Sequence, residues 1–385
     1  MKCKPMKYPM SPARFLAIAS ALVVLALPLA LVDSSRGEAQ GTSYKYNDSH
    51  FHLTNYIQEG TSIKDYMAMM GNVVKRSTLF GIPLQQMWQF GNTGDFAPTY
   101  YLQTDSPLYY YSFSDAFIAM AYKSLTPEQQ ARLDPMITAF NPADMYAADH
   151  IKRVLMTFPG VFTGIGEFSI HKEFVSSKVA GGVATLNDPA LNRILDFAGE
   201  VGLVVILHND ADTPFPRPGQ EPYMLVQFKE LLLRHPNTTV IWAHAGLGRI
   251  VRPVKDQLGI LDRALANPAL KHLQIDISWD ETAKYITENF DTVTATANLI
   301  EKYPDRFLFG SDVVAPKTID APMAVYNAYE PLWKVLRPET VRKVLLRTTN
   351  ASSTKLAVRC VRGRRRTQRR PGNGLGLGGS LLASV

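Results

Sequence analysis

Residues 189–208, PALNRILDFAGEVGLVVILH, and residues 223–244, YMLVQFKELLLRHPNTTVIWAH, carry one pattern twice. Each begins with an apolar stripe at helical spacing, breaks briefly, and closes on an apolar, β-branched run ending in histidine. The stripes predict helices over 189–201 and 223–234. The runs LVVILH and TTVIWAH predict strands. Strands apolar on both sides are buried on both faces, the habit of parallel sheets covered by helices.

The same alternation extends outward. Upstream, a strand over YNDSHFH precedes a helix over 63–70, and a second strand lies within VKRSTLFGIPL. A helix over 115–122 precedes MITAFNP, and a helix over 143–156 precedes VFTGIGEF. Downstream, a helix over 254–266 precedes LQIDIS, and one over 291–302 precedes RFLFGSD. A final helix pair spans 321–336 and 339–346. Eight strands with intervening helices predict an α/β fold, a (β/α)8 TIM barrel. A doubly wound open sheet is the alternative, but it does not readily bring the first and last strands together. Residues 86–113, after the second strand, form an aromatic-rich insertion without a clean period. A cover for the barrel edge and a functional loop over a site are both open readings.

Chemistry-bearing residues recur at or near the strand ends. His50 and His52 share one face of the first strand, because strand side chains alternate with period two. His208, His244 and Asp312 occupy equivalent places after later strands. Strand ends of a parallel barrel converge on one face, which carries the chemistry. Four imidazoles and a carboxylate gathered there suit a zinc-type site. Asp312 could also cap the following helix. Glu167, in GIGEF, is open to metal ligation, substrate binding or a structural hydrogen bond. His171 lies four residues further on, at the rim, as a candidate for substrate binding. Trp279 and Asp280 follow the seventh strand, as candidates to stack on a planar substrate and to accept a hydrogen bond. Loop packing and helix capping remain open for both. His150, His235 and His272 read as surface or packing residues.

The formal charge of +7 does not describe the folded body. Residues 359–370 hold seven arginines and no acid, and residues 1–39 carry a net +3. Taking both from the total leaves residues 40–358 at −3, which removes the support for a nucleic-acid partner. Lys2, Lys4, Lys7 and Arg14 precede an apolar run over 15–32, and Gly37-Glu38-Ala39 offers small residues for cleavage. This predicts a signal peptide over 1–39 and an exported protein, periplasmic or secreted. An uncleaved signal would leave a membrane anchor instead. No other long apolar run occurs. Cys3 and Cys360 are the only cysteines, so zinc ligands in the body must be histidines and carboxylates. The segment 357–385 is Arg-rich, then Gly-rich, without helical or strand period, and reads as a disordered tail.

The ordered set now resembles a family. DSHFH on the first strand, His208 on the fifth, His244 on the sixth and Asp312 on the eighth resemble the amidohydrolase superfamily. GIGEF on the fourth strand and TTNAS near the end are similar to its amidohydrolase-related branch, which holds hydrolases and aromatic-acid decarboxylases. The resemblance covers about residues 46–356, within a domain spanning 40–356. By resemblance to mononuclear members, His50, His52, His208 and Asp312 hold one divalent ion, zinc. His244 then hydrogen-bonds the water or the developing oxyanion, and Asp312 also serves as base. Glu167 corresponds to a residue that bridges two metals in some relatives.

The resulting expectation is a metal-dependent hydrolase of an amide, lactone or ester, acting on a small molecule, with a homo-oligomer as a compatible state. Two alternatives stand beside it. A non-oxidative decarboxylase of an aromatic or unsaturated acid would add a cation for the substrate carboxylate, for which Lys172 and Lys317 are candidates. An exported binding protein would use the metal structurally, but a structural site is closed by its ligands, and the extra His244 favours catalysis.

Overall fold

Asp188, Pro189 and Gly202 show how local sequence sets each element. The computed structural model describes residues 45–219 and 222–349. In it the Asp188 side chain accepts from the Ala190 N–H, Pro189 opens the helix, and Gly202 ends it in a left-handed conformation. The helix Pro189–Val201 buries Ala190, Leu191, Ile194, Leu195 and Ala198, one stripe facing the sheet. Truncating Leu191 to alanine in this stripe would cost about 2–5 kcal/mol. The expected signal segment and Arg-rich tail lie outside the described residues. Among the described residues no helix is long and apolar enough to cross a membrane.

Among the described residues eleven strands occur: β1 (Tyr46–His52), β2 (Val74–Phe80), β3 (Leu84–Gln86), β4 (Leu108–Tyr110), β5 (Leu133–Ile137), β6 (Gly164–His171), β7 (Val204–Asn209), β8 (Val240–Trp242), β9 (Leu273–Asp276), β10 (Phe307–Leu308) and β11 (Val313–Val314). Nine form one parallel sheet in the order β10-β9-β8-β7-β6-β5-β2-β1-β11. Its two ends are consecutive in the chain, so β10 and β11 are halves of one interrupted eighth strand. The Ser49 N–H donates to the Phe309 carbonyl at 3.0 Å, and the Asp312 N–H donates to the His50 carbonyl at 2.7 Å. These bonds curl the sheet onto itself as a (β/α)8 TIM-barrel-like fold. Phe80, Met136, Val204, Ile206, Ile241, Ala243 and Leu308 fill the interior, and a larger apolar cluster joins the strands to the helices.

Several boundaries differ from the sequence expectation. The third barrel strand is Leu133–Ile137, not MITAFNP. The buried Asp115 carboxylate accepts the Thr138 and Ala139 N–H groups, which draws both out of the ladder. The sixth strand stops at Trp242, and Ala243–Gly246 forms a tight turn. The expected helix over 321–336 divides at Tyr329 into Asp320–Ala328 and Glu330–Val335. Pro331 has no N–H to continue the first helix, and the Tyr329 hydroxyl is tied to the Ile277 and Trp279 carbonyls. A helix at Asp280–Ile286 had no clear sequence period. Residues 84–110 contain the antiparallel pair β3–β4, and Tyr56, Ile82, Leu84, Tyr101, Leu108, Val175 and Val179 pack into their own cluster there.

Candidate active site

Each strand end delivers its side chain by a specific backbone device. Gly166 sits at φ 120°, and a Cβ there would lie 2.3 Å from the Ile206 carbonyl oxygen. Only glycine allows that approach, which carries the chain into Glu167 at the barrel centre. His244, Trp279 and Asp312 adopt φ of 57°, 88° and 53°, the left-handed region that L-residues rarely occupy. Such conformations persist where surrounding structure over-determines them, commonly at functional sites. Gly246, at φ 75°, packs so closely under the Trp242 ring that a Cβ would lie 2.2 Å from it.

The side chains converge. His50, His52, Glu167 and Asp312 are all buried, with one ligand atom from each within 4.8 Å of the others. Asp312 Oδ1 lies 3.1 Å from His50 Nε2 and 3.0 Å from His52 Nε2. Glu167 Oε2 lies 3.7 and 3.3 Å from the same two nitrogens. On the other side Glu167 Oε1 is 2.8 Å from His208 Nδ1 and 3.6 Å from His244 Nε2. His208 therefore groups with Glu167 and His244, and Glu167 takes the fourth place in the four-residue cluster. Asp312 faces the imidazoles and caps no helix; the next begins at Asp320.

A second layer fixes each ring. His50 Nδ1 lies 2.9 Å from Asp276 Oδ2, which also accepts from Ser278 Oγ at 2.6 Å. His52 Nδ1 donates to the Gly81 carbonyl at 3.2 Å, and His244 Nδ1 donates to the Ser278 carbonyl at 3.2 Å. A carbonyl only accepts, so these rings carry their proton on Nδ1 and turn Nε2 lone pairs inward. His208 is reversed: its Nε2 meets Asp210 Oδ1 at 3.1 Å, and Nδ1 faces the centre. Metal-bound histidines are held in this way by outer partners. His50 Nε2 and His244 Nε2 are buried, point at the carboxylates and make no hydrogen bond. Such orphaned lone pairs beside ionised carboxylates fit a divalent cation.

The electrostatics agree. Burial alone would raise Glu167, but Lys172 and the imidazoles of His208, His244 and His50 hold it well below the usual carboxylate range. Asp312 is likewise held low by His50 and His244 against its burial. Burial works to lower His50, yet Asp312, Asp276 and Glu167 draw it well above an ordinary histidine. His208 and His244 go the other way, lowered mainly by burial. The common point of the cluster favours positive charge.

Of the remaining sequence candidates, Trp279 lines the pocket that opens from Glu167 and Asp312, with its ring 4.9 Å from that of His244. His171 is the last residue of β6, and its carbonyl accepts the Asp210 N–H. Asp280 is exposed at the start of a helix. Neither belongs to the pocket lining. His235 and His272 are buried away from the site against Asp196, Asn192 and the Leu232 carbonyl. Sequence reasoning missed Asp276, Ser278 and Asp210. The signals for them were slight: an aspartate in LQIDIS and another two residues after His208.

The family model described as Amidohydrolase matches residues 48–349. No curated protein matches the chain. Among solved structures it is similar to a candidate 2-pyrone-4,6-dicarboxylic acid hydrolase from Pseudomonas putida, at 13% identity and TM-score 0.48 over 83% of this chain and 98% of that one. A dihydroorotase from Campylobacter jejuni has 13% identity and TM-score 0.47, over 78% of this chain and 80% of that one. An amidohydrolase from Burkholderia multivorans with bound zinc has 13% identity and TM-score 0.45, over 78% and 95%.

Proposed function

The chain belongs to the amidohydrolase family and is an enzyme of that type, and from that premise we propose that it hydrolyses an amide, lactone or ester with the help of one zinc ion. The observation that carries this reading is the meeting of His50, His52, Glu167 and Asp312, with unpartnered His50 and His244 lone pairs beside them. Those four residues would hold the ion; nitrogen and oxygen donors of this kind suit zinc. An ion held there supplies Lewis acidity toward a carbonyl and acidifies water.

The chain's own groups supply the rest. His244, kept neutral and with its Nδ1 proton committed to Ser278, presents Nε2 as an acceptor. It takes a proton from the attacking water and returns it, as imidazolium, to the leaving group. Asp312 Oδ2 lies 3.6 Å from His244 Nε2 and is the second proton acceptor. His208 Nδ1 faces Glu167 Oε1 at 2.8 Å. Elemental analysis of protein purified without chelator tests the ion: one equivalent per chain is expected. Two equivalents would make Glu167 a bridge between His50/His52/Asp312 and His208/His244. No metal after reconstitution would overturn the reading.

Non-oxidative decarboxylation is the second reading, favoured by the buried Lys172 ammonium beside the cluster. Assays that follow both carbon dioxide release and acid production separate the two. The basic start, the apolar run and Gly37-Glu38-Ala39 support export with a cleaved signal. Mass spectrometry of the native protein should then find about the first 39 residues missing; an intact N-terminus would refute cleavage.

A further inference from the structure

The pocket beside the cluster is too small for the reaction it serves. Tyr56, Leu84, Tyr100, Val175 and Trp279 line it together with Glu167 and Asp312. The space left there for water-sized molecules is about 30 Å3, room for one or two waters, each of which needs about 10–15 Å3 by this measure. No lactone, amide or ester fits. Glu167 and Asp312 are themselves only 3% and 8% exposed. A substrate carbonyl reaches them only when a wall of the pocket moves.

The lining identifies that wall. Tyr56, Leu84 and Val175 belong to the small apolar cluster around β3 and β4, separate from the clusters of the barrel, and Tyr100 packs against it. The sheet of this unit is one antiparallel pair of three residues each, and a two-stranded hairpin is marginal by itself. Units with few apolar contacts of their own open at lower free energy than the main core. Trp279 belongs to the barrel side. It precedes the helix Asp280–Ile286, and its carbonyl accepts from the Tyr329 hydroxyl at 2.8 Å.

Arg249 joins the two sides. It lies in the loop that follows β8 and His244, and its guanidinium carbon is 5.5 Å from the centre of the Trp279 ring. Nη1 pairs with Glu281, and the Arg249 carbonyl accepts from the Tyr285 hydroxyl at 3.3 Å, so it is fixed to the helix after Trp279. Its other arm reaches the roof: Nη2 donates to the Tyr100 hydroxyl at 3.2 Å. The base of the roof is held separately. The Glu173 N–H donates to Asp210 Oδ2 at 2.9 Å, and Glu173 Oε1 accepts the Arg249 N–H at 2.5 Å.

We propose that the aromatic insertion is a lid, closed in this structure, and that Arg249 is the positioning residue that latches it through Tyr100. Glu173 anchors one side, and release of the Tyr100 hydroxyl lets the roof lift away from Trp279. That what enters is a lactone, amide or ester rests on the hydrolase reading; the latch itself is a property of the closed pocket.

Cysteine labelling tests the latch without turnover. In a Cys3→Ser, Cys360→Ser background, Val175→Cys places a thiol on the pocket wall, at a position 2% exposed. Ala198→Cys, buried on the helix Pro189–Val201, is the control for general loosening. Iodoacetamide should label Val175→Cys slowly. Tyr100→Phe and Arg249→Met should each speed this by about tenfold or more, the effect of losing one hydrogen bond to a charged group. Labelling of Ala198→Cys should not change. The two substitutions together should be no faster than Arg249→Met alone, because they break the same bond, and Arg249→Lys should restore part of the slow rate. If Val175→Cys fails to fold by circular dichroism, Ile82→Cys on the same wall replaces it. Unchanged labelling, equal acceleration at Ala198→Cys, or multiplicative effects of the two substitutions would overturn the proposal. Failure of the hydrolase reading shows separately, as no turnover of lactones, amides or esters by protein that gives the expected labelling, a result that supports the latch.

Discussion

Replacing Asp276 with asparagine tests whether the cluster is held for a metal ion. Asp276 is buried at the end of β9, and its Oδ2 meets His50 Nδ1 at 2.9 Å. The same carboxylate takes the Ser278 N–H at 3.0 Å and the Ser278 hydroxyl at 2.6 Å. It is therefore a pure acceptor on three donors. Asparagine keeps the volume but replaces one oxygen with an NH2 donor. If the amide nitrogen faces His50, the ring must give up its Nδ1 proton and place it on Nε2, where it blocks the inward lone pair. If it faces Ser278, two donors oppose each other in a dry site. Either outcome costs the ring its orientation. Loss of an outer partner of a metal-bound histidine lowers metal affinity about 10–100-fold, about 1.4–2.7 kcal/mol. Competition against a chromogenic zinc chelator measures the change, and thermal unfolding of the chelator-treated protein controls for a general loss of stability. Unchanged zinc affinity in a folded Asp276→Asn protein would refute the reasoning, because His50 would then need no anchored tautomer.

Three further outcomes follow from the geometry. His244→Ala should retain its zinc while losing about two to four powers of ten in turnover, measured on the same preparations; complete loss of the ion would make His244 a ligand. Gly166→Ala should destabilise the fold by a few kcal/mol, roughly the sum of a strained φ and an overpacked contact against the Ile206 carbonyl, and a denaturant titration reads it directly. Asp115 is raised to about 7 by burial against the Thr138 and Ala139 N–H bonds that lower it. The folded form therefore holds its proton above the unfolded pKa. Stability should fall as pH rises from about 4 to about 7, by at most about 1.4 kcal/mol per unit, then level off. Asp115→Asn should lack that increment of the slope in paired denaturant titrations; an identical pH profile would contradict it.

The periodicity of residues 189–201 and 223–234 was enough to place two helices at their observed ends, because the buried stripe of each, and the Asp188 cap of the first, are local properties. Strand order was legible for a related reason. Apolar runs alternating with helices have few chain-tracing solutions, and a closed parallel barrel joins the first to the last. His50, His52, His208, His244 and Asp312 stood out because each follows its own strand, and the tertiary structure brings all five to one end of the barrel. What sequence could not supply was direction and distance between elements far apart in the chain. Glu167 enters the four-residue cluster only because Gly166 passes against the Ile206 carbonyl. His208 presents Nδ1 because Asp210 occupies its other nitrogen. Asp276 lies 226 residues from the His50 it anchors, and no local pattern marks that pairing. Lys172 is an ordinary lysine by composition. Its place in the pocket beside Trp279, Glu167 and Asp312 arises from packing of loops that follow different strands. Hydrophobic period decides which elements form; only the closed barrel decides which polar atoms face one another across its mouth, and with them the chemistry.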